Sequence, residues 1–234
     1  MIHQFIFAAP KPGLSAAAFQ SYWINFHAVD YAAKIPQIRQ YLVAPRLELA
    51  VPKVAPGFEG VAEIWLKDDA DQIASMQTPQ FLQGARADEP RWAAFWQTFV
   101  LDTDPKLLFD NAGPGPATDF SKLYVLLKRR PDLSLDAFRQ QLIEDASHAP
   151  RPDQLARHLI GLARDGQYGF GEPRFDAIEV LSFRDDRSLE NFVGNPSLLG
   201  SLTARRYVDD RFVFQFVGRE HWIIRPDQPE ERHA

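Results

Sequence analysis

Phe19, Trp23, His27 and Tyr31 follow one another at four-residue intervals, which sets a titratable imidazole among aromatic rings. On a helix this spacing makes one stripe, so His27 stands beside an apolar face. There it can work as a general acid or base, with a pKa lowered by burial. The other reading of His27 is a core-edge residue whose ring bonds a backbone carbonyl. Tyr41, five residues past Pro36, can donate to a carbonyl or enolate oxygen, or pack its ring under a helix with the hydroxyl at the rim. Tyr31 has the same two readings. Glu63 and Trp65 alternate, so they share a strand face. Turned inward, that carboxylate has a raised pKa and can serve as an acid or base; turned outward, it is solvated. His3 shares a face with Phe5 and Phe7, and either lines a cavity or ends an exposed strand. Trp23, Trp65, Trp92 and Trp96 can form an aromatic binding wall or fill the core. Because these four of the five tryptophans lie in the first half of the chain, a pocket is expected there.

Several other chemistries are excluded. Without cysteine there are no disulfides, thiolate nucleophiles, zinc ribbons or iron–sulfur clusters. No histidine pair has ligand spacing, so no metal site is expected. Gly166-Gln167-Tyr168-Gly169-Phe170-Gly171 sits between two strands and reads as a hairpin loop, not as a dinucleotide fingerprint. The 26 Lys+Arg against 31 Asp+Glu leave a net charge of −5, which gives no general attraction for nucleic acid or anionic lipid. The apolar runs fall short of the roughly 18 residues of a membrane helix. Met1 to Phe7 reads as a first strand rather than a signal peptide. The expectation is a soluble, cytoplasmic protein with no nucleic-acid or membrane partner.

The elements that must position these residues occur twice. Pro12, Leu14-Ser15 and Phe19 recur 119 residues later as Pro131, Leu133-Ser134 and Phe138. Phe58-Glu59, Lys67-Asp68-Asp69 and Pro79 recur 117 residues later as Phe175-Asp176, Arg184-Asp185-Asp186 and Pro196. Asn111 to Ala117, rich in Gly and Pro, reads as a linker, so residues 1–110 and 119–226 are taken as two repeats. In the first, Ile2 to Ala8 reads as a strand. Ser15 caps a helix from Ala16 to about Ala33, with Phe19, Tyr22, Trp23, Phe26 and Val29 on its apolar face. Strands follow at Ile38 to Leu49 and Gly60 to Leu66. Asp69 caps a second helical stretch through Ile73, Met76 and Phe81, and a last strand starts near Phe99. In the second, strands are expected at Lys122 to Leu127, Leu155 to Ala163, Phe175 to Phe183 and Arg211 to Val217, with helices from Leu135 and after Arg187. The order is β-α-β-β-α-β in both, the ferredoxin-like unit. A sheet covered on one face needs a partner for the other, so the fold expected is α+β, two tandem ferredoxin-like repeats packed as an intrachain dimeric α/β barrel. The tail from Asp227 to Ala234 is polar and expected to fray.

The string Pro12-Gly13-Leu14-Ser15, Phe19, Tyr22-Trp23, His27-Ala28, Pro36, Tyr41 and Phe58-Glu59-Gly60-Val61-Ala62-Glu63-Ile64-Trp65 resembles the EthD family of dimeric α/β-barrel proteins. The resemblance covers about the first 105 residues. It implies that the family's usual homodimer is replaced here by the fused pair; a further homodimer of the whole chain is compatible with it. The second repeat departs from the pattern: Gln141, Leu142 and Ala146 stand at the positions of Tyr22, Trp23 and His27, and Ala177 at that of Gly60. His148 is about 200° round the helix from Ala146 and does not replace the missing histidine.

The resemblance implies a catabolic enzyme for a small apolar or aromatic molecule. No cofactor is expected, and the chemistry is of lyase type, decarboxylation or elimination, with His27, Tyr41 and Glu63 as catalytic candidates. Trp23, Tyr31, Trp65, Trp92, Trp96 and His3 are the binding candidates. The competing expectations are an oxygen-using monooxygenase, either cofactor-independent or with haem on His27, and a non-catalytic accessory protein that binds the ligand for a partner oxygenase.

Overall fold

A computed structural model describes residues 1–49, 57–112, 119–149, 151–152 and 154–226. Most of the expected linker, residues 113–117, and the tail from Asp227 lie outside them. The described residues divide into two compact units. One is drawn from Met1–Arg46, Pro56–Asp102 and Glu220–Ala234, the other from Leu47–Ala55 and Thr103–Arg219.

The first unit begins with β1 (Ile2–Ala8). Ser15 starts α1 (Ala16–Tyr22), its hydroxyl accepting from the Ala18 N–H. The helix continues as a π-helical stretch over Trp23–Tyr31 and ends in a 3-10 turn at Ala32–Lys34. At its end the Ala32 N–H reaches His27 O as well as Ala28 O, the i→i+5 bonding of a π-helix. This wider winding carries Trp23, His27, Ala28 and Ala32 inward and leaves Phe26 and Val29 exposed. The apolar face expected from a 3.6-residue period is therefore corrected over its second half. β2 (Ile38–Pro45) and β3 (Gly60–Leu66) follow; β2 stops four residues before the expected Leu49. α2 (Asp69–Ser75) is capped by Asp68, not Asp69. Asp68 has extended backbone, and its carboxylate accepts from the Asp71 N–H at 3.0 Å. A π-helical run, Gln80–Ala85, leads into the short α3 (Arg86–Asp88) and a 3-10 turn at Glu89–Arg91. β4 (Phe99–Asp110) comes next.

β1 and β2 both pair antiparallel with β3. Near the C-terminus β9 (His221–Ile224), which the sequence pattern did not suggest, adds to the free edge of β2. The β1–β3 register sets Gln4 opposite Ile64 and Ile6 opposite Ala62 on one face, and His3 opposite Trp65 and Phe5 opposite Glu63 on the other. The core between sheet and helices includes Phe19, Trp23, Ile38, Tyr41, Ile64 and Trp92. Burying a large apolar side chain of this kind is worth about 1.5–3 kcal/mol.

In the second unit, β5 (Ser121–Leu127) lies between β7 (Ala177–Phe183) and β8 (Phe214–Arg219). β6 (Leu155–Ala163) joins β7 to residues 103–110 of β4. All pairs are antiparallel. The helices are α4 (Leu135–His148), α5 (Asp186–Val193) and α6 (Pro196–Thr203). The Gly166 segment forms a 3-10 run, Asp165–Phe170, in the expected place between two strands. The sequence matches between repeats have a local cause. Ser134 caps α4 through the Ala137 N–H as Ser15 caps α1, and Asp185 caps α5 through the Ser188 N–H as Asp68 caps α2. The elements run β-α-β-β-α-β from β1 to β4 and again from β5 to β8. No helix among the described residues is long and apolar enough to cross a membrane.

Candidate active site

A cavity of about 540 Å³ lies in the first unit between the sheet and its helices. Its apolar walls include Ile6, Ile64, Trp23 and Trp92, and His27 and Tyr41 open onto it. That volume is within the range of small-molecule sites.

The π-helical winding turns His27 inward, where it is 6% exposed. Its Nδ1 lies 3.0 Å from Asp88 Oδ2. Because an ionised carboxylate only accepts, Nδ1 carries the proton and donates, and Nε2 keeps the lone pair. Nε2 has no partner among the described residues and is the nitrogen left for the cavity. Asp88 itself is buried; its other oxygen accepts from the Tyr22 hydroxyl at 2.8 Å, and Arg91 lies 3.5 Å away. Burial lowers the His27 pKa below its ordinary 6.5, while the hydrogen bond and charge of Asp88 pull it partly back. The imidazole is therefore neutral at pH 7, in the form that accepts a proton. It bonds a carboxylate rather than the backbone carbonyl considered from sequence.

Tyr41 is fully buried rather than at a rim, and its oxygen accepts from Trp23 Nε1 at 3.3 Å. Its own O–H finds no acceptor among the described residues. Burial raises its pKa, so the phenol stays protonated and remains a donor. The Trp92 ring packs against His27 and Trp23, with centroids 4.6 and 4.9 Å away. The cavity also has a polar edge. The side-chain amides of Gln4 and Gln72 donate to the two oxygens of Asp102 at 2.7 and 2.8 Å, and all three residues line the cavity.

Of the residues singled out from sequence, the fold brings His27, Tyr41, Trp23 and Trp92 to this cavity. Strand alternation carries Glu63, Trp65 and His3 to the opposite face of the sheet. There all three avoid the cavity: the His3 ring stacks on Trp65, and its Nε2 lies 2.9 Å from Glu63 Oε2 in a buried pair. Tyr31 packs beside Gly84, and Trp96 is 71% exposed. Sequence reading missed Asp88, Gln4, Gln72 and Asp102. Asp88 sits in the charged run Arg86 to Arg91, which looks like a solvated helix face. Gln4 gave the one usable signal, a polar residue sharing a strand face with Ile6 and Ala8.

At the matching place in the second unit, Leu142 and Ala146 are buried in the core. A buried ion network lies within that unit: His158 Nε2 is 2.7 Å from Glu179, and Arg205 Nη1 is 2.7 Å from its other oxygen. Burial raises the Glu179 pKa, but His158 and Arg205 outweigh it and hold the group below its ordinary value. Among the described residues no group of three or more His, Asp or Glu is placed to hold a metal ion.

Haem fits the cavity poorly. His27 Nε2 could ligate iron, yet the one cation of the lining, Arg86, is bound to Glu89 at 2.6 Å and lies 3.7 Å from the centre of the Phe95 ring. Two propionates would find no free cation among the described lining residues.

Fold and cavity define the class: a mixed α/β chain of two ferredoxin-like units, the first with a His–Asp pair beside an apolar cavity. Residues 11–95 match the family model of the EthD domain, so the first repeat carries the family pattern that Tyr22-Trp23 and His27 suggested. No curated protein sequence matches the chain. Among solved structures, an anthrone oxidase-like protein superposes with a TM-score of 0.63 at 10% identity, covering 96% of this chain and 94% of that one. A protein from Lactobacillus acidophilus NCFM, provisionally named a monooxygenase, gives 0.54 at 10% identity over 95% and 96%. A point mutant of chlorite dismutase from Candidatus Nitrospira defluvii gives 0.53 at 10% identity over 93% and 90%. At such identities the likeness establishes the fold class expected from sequence and carries no residue roles.

Proposed function

We propose that the first repeat is the working half of a small-molecule catabolic enzyme that performs cofactor-free acid/base chemistry on an apolar or aromatic substrate. The observation that carries this reading is the His27–Asp88 pair, with Nε2 left to an apolar cavity. His27 takes a proton from an activated carbon. Asp88 fixes the tautomer and stabilises the imidazolium, the part a buried carboxylate plays in other His–Asp pairs. The Tyr41 hydroxyl donates to the substrate oxygen that gains charge. Removal of that proton from carbon serves elimination, in which the electron pair left on carbon expels a leaving group. Decarboxylation runs the transfer the other way, the carbon losing carbon dioxide and taking a proton from the protonated imidazole. A second reading, favoured by the monooxygenase and anthrone oxidase-like names of the structural neighbours, has the deprotonated carbon react with molecular oxygen.

Anthrone serves as the probe, because its methylene is a carbon acid beside aromatic rings. Deuterium incorporation from heavy water is followed under nitrogen, and oxygen uptake in air. Exchange catalysed by the wild type and lost in His27→Ala with unchanged circular dichroism supports the acid/base reading, and added oxygen uptake selects the monooxygenase. Anthrone binding without exchange or uptake, unaffected by His27→Ala, assigns the chain to the accessory class and overturns the enzyme.

A further inference from the structure

The polar edge of the cavity is not used by the chemistry proposed for His27. Asp102 is half-buried, and its two carboxylate oxygens are held by Gln4 and Gln72. No cation pairs with it among the described residues, and each glutamine that donates to it leaves its Oε1 without a partner there. A charge beside apolar walls is ordinarily compensated, and two neutral amides supply hydrogen bonds but no opposite charge. The geometry also fixes the sense of recognition. The amide nitrogens must face the carboxylate, so this edge presents acceptor oxygens. Elsewhere in the same lining, Tyr41 presents a donor and His27 a base. An anionic substituent at the Asp102 edge would be repelled.

We propose that Asp102, positioned by Gln4 and Gln72, is a specificity-determining residue that selects ligands carrying a hydrogen-bond-donating head group, a hydroxyl or an ammonium, on an apolar body. This rests on the reading of the cavity as a ligand site. The lowered polarity of the surroundings strengthens each such bond relative to water.

The test is calorimetric titration of the full chain with three matched probes: 1-methylnaphthalene, 1-naphthylmethanol and 1-naphthylmethylamine. The expected result is that at least one donor-bearing probe binds about 10-fold or more tightly than 1-methylnaphthalene, and that Asp102→Ala removes the preference. Asp102→Asn separates the two sources. A preference for the amine that disappears in this variant identifies an ammonium site, and a preference for the alcohol that survives it identifies a hydroxyl site. Equal binding of all three probes by the wild type overturns the inference while leaving the cavity a ligand site, as does a donor preference that persists in Asp102→Ala. Failure of every probe to bind overturns the cavity reading together with it. The wild-type comparison requires no variant, so a misfolded substitution does not shield the inference from refutation.

Discussion

Gly60 opens β3 with the Trp23 ring lying across it. A Cβ placed there would fall 2.7 Å from Trp23 Cζ3 and 3.1 Å from Cε3, against the 3.5–4.0 Å at which carbon atoms pack best. Gly60→Ala thus requires the indole to retreat by about 1 Å. It has little room to do so. Phe19 and Trp92 pack on it at centroid distances of 5.4 and 4.9 Å, and its N–H is tied to Tyr41. Overpacking of this kind costs about 1–3 kcal/mol, or a melting point lower by about 2–12 °C for a chain of this size. The second repeat supplies the control, since it has Leu142 and Ala177 at the two positions and both are fully buried. In a Trp23→Leu background the ring is gone, and Gly60→Ala should cost within about 0.5 kcal/mol. Denaturant unfolding of the wild type, both single variants and the double variant yields the coupling energy, expected at about 1–3 kcal/mol. Equal cost of Gly60→Ala in both backgrounds would refute the steric reasoning.

Three further outcomes are expected. His27→Ala lowers turnover of the probe carbon acid by about 10²–10⁴-fold, the usual contribution of a positioned base, with far-ultraviolet circular dichroism unchanged; a loss below 3-fold removes His27 from the chemistry. The pH profile of kcat/KM rises through a limb below pH 6.5, because burial lowers the His27 pKa and its neutral form is the base. The same shift affects stability. The unfolded chain binds the proton first as pH falls, so this contribution is full above 6.5 and is lost as pH drops from there to the lowered folded value; a stability that rises with acidity in that window contradicts it. Asp88→Ala leaves the buried Nδ1–H without its acceptor and costs about 1–3 kcal/mol of stability, measured by denaturant unfolding, whereas Asp88→Asn keeps an acceptor oxygen and costs less.

Local rules carried much of the fold. Ser15 and Ser134 satisfy the first-turn N–H groups of their helices through a side chain of their own segment, so a cap is legible wherever such a residue precedes an apolar period. β1 and β3 were legible from runs of β-branched and aromatic residues bounded by turn residues. β9 was not, because its reason to exist is the unpaired edge of β2, more than 170 residues away in sequence. The inward turn of His27 was partly legible. The four-residue stripe anticipated Trp23 and His27 on one face, but a 3.6-residue period also pointed Phe26 and Val29 inward, and only the π-helical hydrogen bonding corrects that.

The sequence by itself determined the residue types available for chemistry, the order of elements in each repeat and the absence of thiol chemistry, because composition, period and capping act within a few residues. Tertiary structure decided which candidates meet. Alternation makes His3, Glu63 and Trp65 share a face, yet which face meets the helices depends on the packing of the whole unit. The partner of His27 lies 61 residues away on a segment with no periodic signal, and Asp102 reaches Gln4 across 98 residues. Such contacts are made by closing long loops, whose outcome depends on the packed core and is not encoded in any one stretch of chain.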